Sequence, residues 1–212
     1  MNDTSRASYG TRSLVVWSAI FVIVLAWSAV RPHDYPTWFL EVVPALVGAA
    51  VMWFTRASFP LTRLTCVLIL VHCLILMVGG HYTYAEVPLF DWIREATGGQ
   101  RNNYDKLGHL AQGFIPAIIA REVVIRQNVF NSARWRNFFI VMFCLGFSAF
   151  YELIEWWVAL FSEEAADSFL GTQGYIWDTQ SDMALALLGA VLALLLLGGW
   201  HDRQMKADGF IR

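Results

Sequence analysis

The sequence predicts an all-α, polytopic membrane protein: a bundle of six transmembrane helices, one domain over residues 1–212, with both termini cytoplasmic. Three observations carry that expectation. Of the 212 residues 57% are hydrophobic and only 15% charged, with ten tryptophans, a balance unlike that of soluble or disordered chains. A bilayer core about 30 Å thick needs roughly 20 apolar helical residues, with about 17 sufficing, and runs of that length, bounded by charges or turn residues, occur six times. Lysine and arginine, finally, concentrate in alternate connections, as the positive-inside rule requires.

The first run, 14–30, is closed by Arg31-Pro32. Arg6 and Arg12 precede it, and Ala26-Trp27-Ser28 loosely resembles a signal-cleavage site. Its apolar core nevertheless exceeds that of a typical signal and carries bulky Trp17 and Trp27, so it reads as an uncleaved anchor. The second, 38–54, is interrupted by Glu41 and Pro44, and the third, 61–78, is closed by Gly79-Gly80. The longest connection, 79–106, contains Val87-Pro88-Leu89-Phe90-Asp91-Trp92-Ile93, an aromatic and acidic stretch suited to an interfacial helix on the outer face. The fourth and fifth runs are 107–124 and 138–161. The sixth, 182–200, holds the most lipid-like stretch, Leu194-Leu195-Leu196-Leu197.

Orientation follows from the loops. One set holds Arg6, Arg12, Arg56, Arg63, Arg121, Arg126, Arg134, Arg136, Arg203, Lys206 and Arg212, eleven in all; the other holds four, Arg31, Arg94, Arg101 and Lys106. The richer side is cytoplasmic. A net charge of −2 provides no basic field to gather nucleic acid. Cys66, Cys73 and Cys144 all lie inside apolar runs, which suits small core residues better than disulfides or a metal knot.

Charged groups inside a span cost about 2.5 to 3.5 kcal/mol each on insertion scales, so those retained there call for a functional hypothesis. At about 1.5 Å per residue, Glu152 lies about 9 Å and Glu155 about 5 Å below the outer edge of the core, while Asp105 sits at the mouth of the fourth span with His109 about 6 Å deeper. Asp178 and Asp182 occupy the same level at the start of the sixth. Spacings of three and four put Asp105, His109 and Gln112 on one stripe and Ser148, Glu152 and Glu155 on another. Facing lipid, these carboxylates would be unpaired; facing one another across an outer cleft, they find His109, Lys106 and water. His81, with Tyr82 and Tyr84, is placed to cap that cleft. The loop Leu170-Gly171-Thr172-Gln173-Gly174-Tyr175 through Gln180 could line it, its glycines permitting tight turns.

Each element also has a structural reading. Asp105 and Asp178 can cap helices, His109 can be a hydrogen-bonded core histidine, His72 reads as structural, and Glu41 is a weaker candidate. Two histidines among several carboxylates nonetheless match a divalent ion such as Zn²⁺ or Mn²⁺. The metal ligands expected are His109, Glu152, Asp182, Asp105, Asp178 and His81, with Glu155 as general acid/base and Lys106 as contact for a phosphate. A metal-free version would use the Glu152/Glu155 or Asp178/Asp182 pair for acid–base work. No HExxH motif or paired cysteine ligands occur, and Ser148 lacks a nucleophile elbow.

The expected function is therefore a metal-assisted enzyme acting from the periplasmic side on a membrane lipid or lipid-linked substrate. The rivals are a cation- or proton-coupled carrier and a non-catalytic lipid-binding or structural protein. A transport path needs polar residues through to the cytoplasmic side, whereas Ile118, Ile119, residues 139–143 and residues 192–197 predict an apolar inner half.

The blocks His81-Tyr82-Thr83-Tyr84, Tyr104-Asp105-Lys106-Leu107-Gly108-His109, Tyr151-Glu152-Leu153-Ile154-Glu155-Trp156 and Gly171-Thr172-Gln173-Gly174 through Trp177-Asp178-Thr179-Gln180-Ser181-Asp182-Met183 resemble the YjdF-like family of uncharacterised bacterial inner-membrane proteins. The resemblance runs in order over nearly the whole chain and implies location and topology without an activity. It also implies an acidic residue where this chain has Tyr175. The Asp105-Lys106-Leu107-Gly108-His109 block resembles, more distantly, that of the VanZ-like membrane proteins.

Overall fold

In the computed structural model residues 10–161 and 173–212 are described, and they form seven helices without a strand among them. The helices are α1 (Thr11–Ser28), α2 (Tyr35–Thr55), α3 (Arg63–Tyr82), α4 (Pro88–Thr97), α5 (Tyr104–Arg126), α6 (Ala133–Phe161) and α7 (Asp178–Ala207). Four predicted runs lie within one of them, while 14–30 extends two residues past α1 and 61–78 begins two before α3; Pro88–Thr97 forms the short amphipathic helix expected around Val87–Ile93.

Local chemistry sets the ends. The Asp34 carboxylate accepts from Thr37 N at 2.7 Å and Pro36 fills the first turn of α2, where a missing N–H costs nothing. Thr62 caps α3 by accepting from Thr65 N at 3.3 Å. Thr83 and Tyr84, at φ 55° and 58°, turn the chain out of α3. Helices α6 and α7 run past the predicted spans 138–161 and 182–200, because Arg134 and Arg136 at one end and Asp178, Arg203 and Lys206 at the others continue the helix where backbone amides still gain from intrahelical bonding.

Four helices, α2, α3, α6 and α7, are long and apolar enough to cross a membrane, and the apolar stretch of α1, Arg12–Ser28, is shorter. Helix α5 is the exception by composition, carrying Asp105, Lys106, His109, Gln112, Arg121 and Glu122. It packs against α3, α6 and α7, so its polar groups meet protein rather than lipid.

Small residues bring α5 and α7 together. A Cβ on Gly113 would overlap the Ala186 carbonyl, and one on Gly189 would overlap the Leu110 carbonyl, so the two backbones touch, as small-residue seams in membranes allow. Below that seam Leu64, Ala117, Ile118, Ile140, Cys144, Ala190 and Ala193 form an apolar layer. The three cysteines are free and buried, as expected.

The half of the bundle predicted to be apolar is not apolar throughout. Beyond that layer the fully buried Glu122 accepts from Thr62 N at 2.9 Å, Thr62 Oγ1 at 2.8 Å, Thr65 Oγ1 at 2.6 Å and Arg126 Nη1 at 2.9 Å. His201 Nε2 lies 3.1 Å from the same carboxylate, and Arg121 donates to Asp202 at 2.8 Å. The expectation from Ile118, Ile119 and the phenylalanine and leucine runs thus holds for a middle layer only. Helix-end charges at Arg121, Glu122 and Arg126 turn inward to join α3, α5 and α7 instead of facing solvent.

Candidate functional site

The first turn of α5 is held from several sides. Buried Asn102 donates through Nδ2 to the Val87 carbonyl at 2.9 Å and accepts from Tyr104 N at 3.1 Å. Gln173 forms two 2.9 Å hydrogen bonds with the Asn102 backbone. The Tyr104 hydroxyl donates to the Ile75 carbonyl at 2.9 Å. Asp105, Lys106 and His109 are thereby presented to α6 and α7 from a fixed helix start.

At the rim, Lys106 Nζ donates to Asp178 Oδ1 at 2.5 Å, Ser181 Oγ at 2.6 Å and Asp182 Oδ1 at 2.7 Å. Arg101 pairs with Asp178 at 2.6 Å and Asp105 at 3.6 Å. The Tyr175 ring lies 5.5 Å from Lys106 Nζ and 5.6 Å from the Arg101 guanidinium, so in this chain the position implied to be acidic carries a π face toward the same two cations.

One layer deeper stands His109. Gln112 Oε1 lies 3.1 Å from Nδ1, and Nε2 is turned the other way. Nε2 is 3.3 Å from Asp105 Oδ1 and 3.8 Å from Glu152 Oε1. Two overlapping sets, Asp105/His109/Asp182 and His109/Glu152/Glu155, each place one ligand atom per residue within 4.8 Å of the others. Glu152 Oε1 and Ser148 Oγ are buried without a hydrogen-bond partner among the described residues. Both Glu152 and Glu155 face inward, each 8% exposed, as the stripe on α6 predicts.

A cavity of about 60 Å³ opens beside His109, walled by Glu41, His72, Tyr84, Asp105, Tyr151 and Glu155 among others. A water needs about 10–15 Å³, so the space fits a few waters or an ion with part of its shell. The Tyr151 hydroxyl donates to Glu41 Oε2 at 3.1 Å. The Tyr84 ring is wedged against Gly79 and Gly108, where side chains would collide with it.

The structure therefore brings together Asp105, Lys106, His109, Glu152, Glu155, Asp178 and Asp182. His81 stands apart: its Nδ1 is 3.0 Å from the Ser28 carbonyl and its ring lies 4.5 Å from those of both Trp27 and Tyr82. Leu170, Gly171 and Thr172 of the glycine-bearing loop, like Arg6, lie outside the described residues. Arg101, Ser181 and Tyr151 join the site without having been singled out beforehand. Tyr151 stands beside Glu152 in the sequence, but nothing there pairs it with Glu41. Electrostatically the rim is matched, with Lys106 and Arg101 set among Asp105, Asp178 and Asp182. The deeper layer has Glu41, Glu152 and Glu155 beside His109, with His72 also on the cavity wall, an excess of carboxylate that a cation would relieve.

A family model described as predicted membrane protein (DUF2238) matches residues 13–203. The chain is 45% identical over 189 residues to the inner membrane protein YjdF of Escherichia coli (strain K12), covering 89% of this chain and 90% of that protein. No solved structure matches it.

Proposed function

This chain belongs to the DUF2238 family of predicted membrane proteins, and we propose that it is a multi-pass protein of the bacterial inner membrane whose periplasm-facing cleft holds a divalent cation, Zn²⁺ or Mn²⁺, for work on a lipid or lipid-linked substrate. In this reading α1, α2, α3, α5, α6 and α7 are six spans of one transmembrane domain, with both termini cytoplasmic. The observation that carries it is the meeting at the His109 imidazole of two carboxylate sets, one drawing on α7 and one on α6.

The roles follow from position. His109, Asp105, Asp182 and Glu152 would supply the N and O donors such ions take, with Gln112 meeting the imidazole from behind. Glu155, deeper and beside Glu152, would pass protons to and from the reacting groups. Lys106, whose Nζ already serves Asp178, Ser181 and Asp182, suits holding those carboxylates in place better than meeting a phosphate. Asp178 belongs with that rim, and His81 with the packing of α1 on α3. A carrier would need a polar path through the layer of Ile118, Ile140, Cys144 and Ala190, which favours a one-sided site.

The test is turnover of a lipid phosphate. Protein reconstituted in vesicles containing phosphatidic acid, with Mn²⁺ or Zn²⁺ present, is expected to release inorganic phosphate. Glu155→Gln should lower the rate by about 100-fold or more, the contribution typical of a positioned acid/base. Release by wild type and Glu155→Gln at equal rates, or by neither, would overturn the enzymatic reading.

A further inference from the structure

The polar cavity has an apolar continuation. Pro44, His72, Leu76 and Phe147 belong to its wall and also to that of a groove of about 470 Å³ running between α2, α3 and α5. From Pro44 to Thr55 the groove follows twelve residues of α2, about 16 Å from first to last at the helical rise. That is close to one leaflet of a hydrocarbon core about 30 Å thick. Its walls carry Ala45, Ile69, Cys73, Pro116 and Ile119. The flank is open: Val51 is 57% exposed, and a Cβ on Gly48 would meet no atom within 4 Å.

We propose that this groove holds the hydrocarbon chain of a bilayer lipid whose polar head enters the carboxylate–His109 cavity. The assignment rests on the lipid-substrate reading above and names where that substrate's chain lies. Three features select an acyl chain over a second helix. The groove meets a polar cavity at its outer end, so its occupant is polar at one end and apolar along the rest. Its length matches one leaflet rather than a whole span. Its open side lies on helices that cross the membrane, where acyl chains are the surrounding medium and enter without desolvation of polar groups. Tyr151 on Glu41 ties α6 to α2 at the head end, above the groove.

The experiment uses the full chain in vesicles of phosphatidylethanolamine and phosphatidylglycerol, doped with a phosphatidylethanolamine bearing a photoreactive diazirine near the end of one acyl chain. After irradiation, peptide mass spectrometry is expected to find label on Ile69, Cys73 and Ile119. Gly48→Phe, which fills open space without a clash, should reduce that labelling at least ten-fold, and Val51→Trp, at an exposed site on the same wall, should do likewise. Gly146→Ala, whose added Cβ would meet nothing within 4 Å, should leave it unchanged. Wild-type protein that labels in the groove yet releases no phosphate would count against the enzymatic reading alone. Labelling of the groove that neither filling variant reduces would overturn the proposal. So would labelling confined to outward faces such as Ile23 and Leu195, 66% and 75% exposed, or protein–protein cross-links in place of lipid adducts.

Discussion

Glu122→Ala is expected to destabilise the protein by about 3–5 kcal/mol, the cost of breaking a buried ion pair by removing one partner. Glu122 is fully buried and gathers the Thr62 amide, two threonine hydroxyls, Arg126 and His201. Its truncation would leave the Arg126 guanidinium to the Pro60 carbonyl and the Phe59 and Phe210 rings, and would strand the buried polar atoms of α3 and α7 that now meet the carboxylate. Glu122→Gln, which keeps the shape and one carbonyl oxygen, should cost less than the alanine change. Unfolding can be followed with a thiol-reactive dye, because Cys66, Cys73 and Cys144 are free and buried until the fold opens. At about 2–4 °C per kcal/mol for a chain of this size, the alanine variant should melt about 10 °C lower. A midpoint within about 2 °C of wild type would show that the network is dispensable.

Gly113→Ala is the second large effect. The added Cβ would meet the backbone carbonyl of Ala186, which no change of rotamer can relieve, so α5 and α7 must separate. Overpacking of this kind costs about 3 kcal/mol. The damage also reaches the site, since α5 carries Asp105, Lys106 and His109 while α7 carries Asp178 and Asp182. Gly146→Ala is the matched control: its Cβ would meet nothing within 4 Å, and alanine is the better helix former by about 1 kcal/mol. The dye assay should show a clear fall for Gly113→Ala and none for Gly146→Ala. Equal midpoints for the two would contradict the close α5–α7 contact.

Hydropathy located the helices because long apolar runs mark α2, α3, α6 and the central part of α7. It said least about α5, whose burial within protein frees it from the need for such a run. The outer cluster was legible from two physical signals: charge within a span, which marked Glu152, and helical spacing, which aligned Asp105 with His109 and Glu152 with Glu155. Contacts between distant segments left no such trace. Tyr151 reaching Glu41, Arg101 reaching Asp178, and Gln173 clasping Asn102 depend on tertiary approach alone. The Glu122 network was hidden for a different reason. Charges in the last turns of helices look like the ordinary cytoplasmic flank of a span, and Arg121 and Arg126 were counted as such, while burial turned them inward. His81 shows the converse, since a histidine after a Gly-Gly break on the correct side still packs on Trp27 rather than in the cleft.

The central claim, a cation held at His109, is tested most directly by elemental analysis of the detergent-purified full chain. Wild type, His109→Ala and Glu152→Gln should be prepared without chelators, incubated with Zn²⁺ or Mn²⁺, and eluted as the same monodisperse species. The account predicts about one divalent metal ion per wild-type chain, as a single site built from these donors would hold, and its loss from both variants. No bound metal in the wild type, or the same content in His109→Ala, would contradict it.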